Sequence, residues 1–179
     1  PEPAPEPGSG GGPLIWAHEQ EPPDLHLDDP NNNLSITSWI RSALLEGLYG
    51  ISGATEYYPE LLAEDNAPVD NGDGSVTVNY VLREGLTWSD GDDLTADDVK
   101  FTFDAVMAQD ADGEYIYLLG DRAGLDTITS FEVTSPTEFS VTWSAFFAGW
   151  KGAMAEVYPA HVFPEDPAEA AAALNEALR

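Results

Sequence analysis

The sequence predicts a mixed α+β fold, and three observations support this class. Residues 76–82 alternate apolar and polar side chains, as in a strand with one buried face. Residues 131–143 have the pattern of two strands joined by a tight turn, and two stretches beginning near residues 35 and 95 carry apolar residues at helical spacing. Because strands and helices are mixed without a regular βαβ repeat, an α+β or irregular α/β arrangement is favoured.

The N-terminal third begins with a low-complexity segment, residues 1–13, of Pro and Glu followed by Gly and Ser. Such a composition cannot form a core, so the segment is either a tether or an ordinary disordered terminus. The apolar run Leu14–Ala17 is typical of a buried strand. Ser35 or Thr37 can cap a helix that continues to about Tyr49 and buries one face.

The middle of the chain alternates turns with regular elements. Residues 70–74 (DNGDG) supply turn chemistry before the strand at 76–82. Thr95 and Asp98 form a capping-box pattern, which predicts a helix from there to near Gln109. We expect the hairpin at 131–143 next, and a final helix over Pro167–Arg179.

Charge and composition exclude several classes of function. The 179 residues carry 33 Asp and Glu against 6 Lys and Arg, a net charge of −27. A protein that binds nucleic acid or an anionic membrane surface needs clustered Lys and Arg side chains, so neither is expected as a partner. The 42% hydrophobic and 11% aromatic content distinguishes the chain from an acidic disordered protein. No apolar run approaches the ~20 residues of a membrane span, so we expect no membrane insertion.

No motif in the sequence makes a case for catalysis or for a cofactor. The chain has no Cys, and its three His are scattered without metal-ligand spacing. Residues 70–74 and 110–114 resemble fragments of a calcium loop but lack its full ligand spacing, so solvated turns are the expectation. Adjacent carboxylates such as Asp92 and Asp93 are common at this charge and identify no acid/base pair.

One long run identifies a known family. Residues 82–103 read LREGLTWSDGDDLTADDVKFTF. This run resembles the "LR-x-G-x-x-W-x-DG-x-x-x-TA-x-DV-x-F" pattern of the extracellular solute-binding proteins of family 5, the peptide/nickel-type binding components of ABC importers. The match extends almost throughout the pattern, which is long and specific.

Shorter segments resemble the same family in the same order. Glu46–Tyr49 is similar to its "EGL", and residues 58–64 to its "P-x-LA-x-x". Glu21–Pro23 followed by Leu27–Pro30 is similar to its "EP-x-x-LDP" opening, with extra residues between the parts. Residues 158–163 (YPAHVF) resemble its "LPKH", with Tyr and Ala replacing Leu and Lys.

The resemblance implies how the chain is divided between a lobe and an inserted domain. It implies a periplasmic-binding-protein-like type II fold, in which residues 14–50 and 145–179 belong to lobe I and residues 51–144 form a small inserted β-rich domain. Family members are much longer, so we expect this chain to be an N-terminal portion with an incomplete lobe I and without the second lobe.

The resemblance also implies where a ligand would bind. In oligopeptide-binding members the stretch after the first strand pairs with the peptide backbone. Here that stretch contains Glu21, Pro22 and Pro23, whose two prolines remove two backbone donors. A Tyr in the loop after the inserted-domain helix lines the cleft in some members, and Tyr115 or Tyr117 occupies that region. The residue pattern also allows a solvated Glu21 and tyrosines that simply pack the domain.

Three functions remain open on this basis. The first is the solute-binding component of an ABC importer, which captures an extracellular peptide or small solute and delivers it to the membrane permease. In that case the protein is not an enzyme, and we expect it at the cell surface, lipid-anchored through an upstream Cys that has been removed, because the chain opens on Pro1. The second is a stand-alone interaction domain on the same scaffold. The third is a carboxylate-based hydrolase.

Overall fold

The computed structural model describes residues 15–26, 28–32 and 34–179, so the expected tether at 1–13 lies outside the described residues. Its regular elements occur in chain order as helices, strands and two short 3₁₀ turns. They are α1 (Ser35–Ser42), β1 (Tyr49–Ile51), β2 (Tyr57–Pro59), β3 (Val69–Asp70), β4 (Val76–Val81), α2 (Ala96–Met107), β5 (Ile128–Ser135), β6 (Glu138–Trp143), the 3₁₀ turns Trp150–Gly152 and Ala160–Val162, and α3 (Pro167–Ala177). None of the helices within these ranges has the length and apolar character needed to cross a membrane.

A four-stranded antiparallel sheet in the order β3-β4-β6-β5 forms the centre of the structure. β4 and β6 pair along their full length, from Val76 opposite Trp143 to Val81 opposite Glu138. Alternate residues of these strands, including Val78 and Val141, are fully buried. The predicted strand and hairpin are therefore confirmed, with β5 starting three residues earlier than the sequence pattern indicated.

Helix α2 packs against this sheet and begins at the predicted cap. The backbone N–H of Thr95 donates to Asp98 Oδ2 at 2.8 Å, so the carboxylate satisfies a donor that the helix itself cannot. Ala96 N–H donates to the Pro136 carbonyl at 2.7 Å, which joins the helix start to the β5–β6 turn. The helix ends at Met107, close to the predicted Gln109.

The N-terminal segment differs from the prediction. Residues 15–17 form no strand, and Ile15 and Trp16 are 86% and 69% exposed. The buried strand expected at Leu14–Ala17 is thus wrong for the part that is described. Trp39 of α1 lies on this exposed side: it is 47% exposed and stacks on Trp16 with ring centroids 5.8 Å apart.

Helix α1 ends at Ser42, although the apolar spacing predicted a helix to about Tyr49. The chain after it pairs with a distant segment: Leu48 N–H donates to the Met154 carbonyl and Val157 N–H to the Glu46 carbonyl. This close approach requires Gly47, because a Cβ there would lie 2.2 Å from the Ala155 carbonyl oxygen. Tertiary pairing therefore replaces the last two predicted helical turns.

Two hydrophobic clusters stabilise the fold. The larger lies between the central sheet and residues 48–62 and 150–157, and the smaller joins α2 and α3 through Tyr117, Leu125 and Tyr158. Each cluster contains residues from both sides of the boundaries expected at 50/51 and 144/145. The division into lobe I and an inserted domain stays a prediction.

Candidate functional site

A cavity of about 260 Å³ lies between four parts of the chain: Asp28, helix α2, the loop 117–125 and the segment 152–158. One side of it is apolar, with Phe103, Val106, Leu119, Leu125 and Met154 among its lining residues. Its polar side is formed mainly by Asp28, Tyr117, Glu156 and Tyr158. Since these segments are distant in sequence, the cavity exists only in the folded chain.

The polar side of the cavity belongs to a closed hydrogen-bonded ring, which we call the Arg41 ring: Arg41, Asp28, Tyr117, Tyr158 and Glu156. Tyr117 Oη donates to Asp28 Oδ2 at 2.7 Å and lies 3.2 Å from Tyr158 Oη. Tyr158 Oη lies 3.1 Å from Glu156 Oε2 and accepts from Arg41 Nη2 at 2.7 Å. Arg41 closes the ring through ion pairs with Glu156 and, at 3.5 Å, with Asp28 Oδ1.

Contacts outside the ring hold Arg41, Tyr117 and Tyr158 in position. Helix α1 directs Arg41 inward, where its side chain is 1% exposed. Asn175 of α3 accepts from Leu118 N–H at 3.0 Å and donates to the Ile116 carbonyl at 2.9 Å, which holds the backbone on both sides of Tyr117. Tyr158 N–H donates to Thr102 Oγ1 of α2 at 2.9 Å.

Burial determines the protonation of the ring tyrosines. It raises the pKa of Tyr117 far above the ordinary value, and the neighbouring Tyr158 and Asp28 raise it further. Burial also raises the pKa of Tyr158, although the Arg41 charge acts to lower it. Both hydroxyls therefore remain protonated at neutral pH and act as hydrogen-bond donors. Burial acts to lower the pKa of Arg41, but its neighbours Tyr158 and Asp28 outweigh it and the pKa is raised overall, so Arg41 stays charged.

The structure places the predicted ligand-binding residues in different environments. Tyr117 lines the cavity and is 1% exposed, with its ring against His26 at a centroid distance of 5.1 Å. Tyr115 is 38% exposed and lies under the Arg122 guanidinium, 4.1 Å from ring centroid to Cζ. Glu21 and Pro23 are exposed and Pro22 is partly buried, all in irregular backbone outside the cavity lining. Ligand contact by these five residues stays a prediction.

Sequence reasoning missed most of the Arg41 ring. Asp28 and Tyr158 were noted only within the motifs that resemble "LDP" and "LPKH", and no role was assigned to Arg41 or Glu156. The sequence signal for Arg41 is that it is the single charged residue of α1, and the structure buries it. A buried charge requires a partner, but the sequence does not show which carboxylates supply it.

In the acidic turn at residues 110–114, a carboxylate accepts hydrogen bonds from the backbone of its own turn. Asp110 Oδ1 accepts from the N–H groups of Asp112 and Glu114 at 2.9 and 3.0 Å, as expected for a solvated turn.

Asp90, Asp92 and His161 offer ligand atoms within 4.8 Å of one another and are the described residues best placed to hold a metal ion. All three are exposed, and His161 Nε2 is hydrogen-bonded to Asp90 Oδ2 at 2.8 Å.

Known proteins resemble the chain over part of their length. A dipeptide-binding protein of Lactococcus lactis subsp. cremoris is 31% identical over 83 residues, which is 41% of this chain and 15% of that protein. The structure of the periplasmic EDTA-binding protein EppA matches 83% of this chain with a TM-score of 0.69 and 22% identity. The oligopeptide-binding protein AppA of Bacillus subtilis, in complex with a nonapeptide, matches 87% with a TM-score of 0.69 and 19% identity.

These matches show the fold of the chain and the share of each similar structure that it covers. Below 25% identity the two structures establish a shared fold, in agreement with the predicted class. The chain spans 28% and 29% of the length of the two structures. The model of the bacterial extracellular solute-binding proteins, family 5 (middle), matches residues 56–177, about two thirds of the chain. The chain therefore belongs to the bacterial extracellular solute-binding proteins of family 5.

Proposed function

We propose that this protein is the solute-binding component of an ABC importer that captures an extracellular peptide or a similar small solute and delivers it to the membrane permease. The observation that carries the proposal is the cavity at the Arg41 ring, where an apolar wall faces a small set of fixed polar groups. This combination is typical of sites for small organic ligands. The dipeptide-binding relative and the nonapeptide complex of the similar structure support a peptide.

The size of the cavity indicates how much of a ligand it can enclose. Its volume of about 260 Å³ is below the ~300–1,000 Å³ typical of sites that enclose a whole drug-sized ligand. We infer that the described residues enclose one end of the solute and form one wall of its site. The chain spans under a third of the length of the similar structures, which leaves a second wall to a longer protein.

Within this proposal, the predicted residues have distinct roles. Tyr117 contacts the solute directly from the cavity wall. Glu21, Pro22 and Pro23 contact the solute outside the cavity lining, where the two prolines weaken strand-like pairing with a peptide backbone. Tyr115 is not part of the cavity lining, so it contacts the solute only outside the cavity, through the ring face that Arg122 leaves open.

The proposal places the protein outside the cell. The family is extracellular by description, and a location at the cell surface with a lipid anchor on an upstream Cys suits a component that must stay beside its permease. Hinge closure around the solute would produce the form that the permease recognises. No bond in the solute is broken in this role.

The proposal is tested by isothermal titration calorimetry of the protein with peptides of two to nine residues. We expect saturable binding, with the peptide recovered unchanged by chromatography. The variant Tyr117→Phe removes a hydroxyl that lines the cavity, and loss of one hydrogen bond to the solute is worth about 0.5–1.5 kcal/mol, so the variant is expected to bind about two- to tenfold more weakly. Tyr57→Phe, which changes an exposed tyrosine of β2, is the matched control and should bind normally.

Two results would contradict the proposal. Absence of saturable heat with every peptide up to millimolar concentration would count against a peptide-binding role. Equal affinities of the Tyr117→Phe variant and the unmodified protein would show that the solute binds elsewhere.

A further inference from the structure

We propose that Asp90, Asp92 and His161 form a binding site for a divalent transition-metal ion such as Zn²⁺, separate from the cavity at the Arg41 ring. None of the three residues lines that cavity, so the proposal goes beyond the proposed function. It depends on three observations: which ligand atoms converge, how far apart they lie, and what holds the backbone that carries them.

The three side chains bring three ligand atoms to one place. His161 Nε2 lies 2.8 Å from Asp90 Oδ2 and 3.5 Å from Asp92 Oδ2. Although the chain has 33 Asp and Glu, no other three Asp, Glu or His side chains of the described residues bring ligand atoms within 4.8 Å of one another. The high acidity of the chain therefore does not by itself account for this convergence.

The imidazole nitrogen selects the kind of metal. Ca²⁺ and Mg²⁺ take oxygen ligands, whereas Zn²⁺ and its neighbours in the first transition row bind imidazole nitrogen together with carboxylate oxygen. The nitrogen of His161 faces a carboxylate oxygen from each of Asp90 and Asp92. A cation of charge +2 between the three atoms balances both carboxylates.

The distances between the ligand atoms suit a tetrahedral ion. Metal–ligand distances of ~2.0–2.2 Å place the ligand atoms of a tetrahedral Zn²⁺ site ~3.3–3.6 Å apart. The two distances from His161 Nε2, 2.8 and 3.5 Å, lie within ~0.5 Å of this range. The side chains of Asp90 and Asp92 are 51% and 67% exposed, so their carboxylates can rotate onto the ion and a water molecule can supply the fourth ligand.

The backbone that carries the ligands is fixed by hydrogen bonds in which the ligand atoms take no part. Trp88 N–H donates to the Asp92 carbonyl at 2.8 Å, which closes the turn that carries both aspartates. Ala160 N–H donates to Asp98 Oδ1 at 2.8 Å, which fixes the residue before His161 at the start of its 3₁₀ turn. Metal binding therefore has to order only three side chains, which lowers its cost in conformational entropy.

A metal ion at this site joins two distant parts of the chain. His161 is 71 residues from Asp90 in sequence, so the complete ligand set exists only in the folded protein. An ion that binds the folded chain better than the unfolded chain stabilises the fold in proportion to its binding free energy. We therefore expect Zn²⁺ to raise the Tm of the protein.

The test is isothermal titration calorimetry of ZnCl₂ into the protein after removal of metals with a chelator. The titration is run in excess CaCl₂, which occupies weak sites made of carboxylates alone. We expect saturable binding of one Zn²⁺ per chain. The His161→Gln variant should bind Zn²⁺ about tenfold or more weakly and should lose the rise in Tm, because the imidazole is a direct ligand.

Two control variants separate the site from the acidic surface and from the other histidines. Asp112→Asn removes an exposed carboxylate of the turn at residues 110–114, and His18→Gln removes a histidine outside the ligand set. Both should bind Zn²⁺ with the affinity of the unmodified protein. If circular dichroism shows that His161→Gln is unfolded, Asp92→Asn is used for the same comparison.

Three results would overturn the proposal. The first is equal Zn²⁺ affinity of His161→Gln and the unmodified protein. The second is the absence of saturable Zn²⁺ binding in excess Ca²⁺, which would show that the carboxylates of the surface hold the ions without the imidazole. The third is a loss of affinity in Asp112→Asn as large as that in His161→Gln.

Discussion

Asp98 joins the start of α2 to Ala160, 62 residues later, and its removal should destabilise the whole chain. Its side chain is buried, with Oδ2 accepting from Thr95 N–H and Oδ1 from Ala160 N–H, both at 2.8 Å. The neighbouring Asp97 also lies in the first helical turn but is exposed. The pair therefore provides a test residue and a matched control within one turn of helix.

The expected magnitude follows from the two bonds. Loss of a helix cap costs about 1 kcal/mol, because water can partly replace it at Thr95. Loss of a charged acceptor from the part-buried Ala160 N–H costs about 1.5–3 kcal/mol. We expect Asp98→Ala to lower the free energy of unfolding by about 2.5–4 kcal/mol. Asp97→Ala loses only an interaction with the helix dipole, about 0.3–1 kcal/mol.

The assays are urea unfolding followed by tryptophan fluorescence, which gives the free energy of unfolding, and thermal unfolding followed by circular dichroism, which gives Tm. A chain of this size shifts its Tm by about 2–4 °C per kcal/mol, so Asp98→Ala should melt about 5–16 °C lower. Asp98→Asn has one carbonyl oxygen for two donors and should lose an intermediate amount. A loss below about 1 kcal/mol for Asp98→Ala, or one equal to that of Asp97→Ala, would refute the reasoning.

Two further predictions concern close packing and pH. Gly47→Ala places a Cβ against the Ala155 carbonyl and should lower the free energy of unfolding by about 1–3 kcal/mol. The control Gly53→Ala has open space around its Cβ and should change the free energy of unfolding little. Equal Tm values for the two variants would contradict this prediction. The hydrogen bond to Asp90 raises the pKa of His161, so any stabilisation by this pair is full below the ordinary His value and is lost as pH rises through the raised pKa. An NMR titration should show the pKa of His161 falling in Asp90→Asn, and an unchanged pKa would contradict the role of this bond.

The regular elements were largely readable from the sequence because their signals are local. The alternation in 76–82 and the capping pattern at Thr95 and Asp98 each depend on neighbours within four residues, and both elements form where predicted. The short strands β1 and β2 were missed, since three-residue strands carry too few side chains for a period to be visible. Their existence depends on pairing with each other rather than on their own propensity.

The candidate site was only partly predictable. Tyr117 was reached through the family resemblance, but its partners in the Arg41 ring come from positions 28, 41, 156 and 158. No spacing rule connects these positions, because they meet only after α1, α2 and α3 have packed. The prediction that α1 continues to Tyr49 failed for the same reason, as the pairing of residues 46–48 with 154–157 is a long-range contact.

The sequence by itself determined the fold class and the family, and it supports the expectation that no partner needs a basic surface. These follow from local periodicity, a long motif and a net charge of −27, none of which depends on knowing which distant residues touch. Only the tertiary structure decided that a buried Arg41 is paired with two carboxylates and donates to Tyr158 beside a cavity of about 260 Å³. The physical reason is that a buried charge must find partners wherever the fold brings them, and that placement is a property of the packed chain.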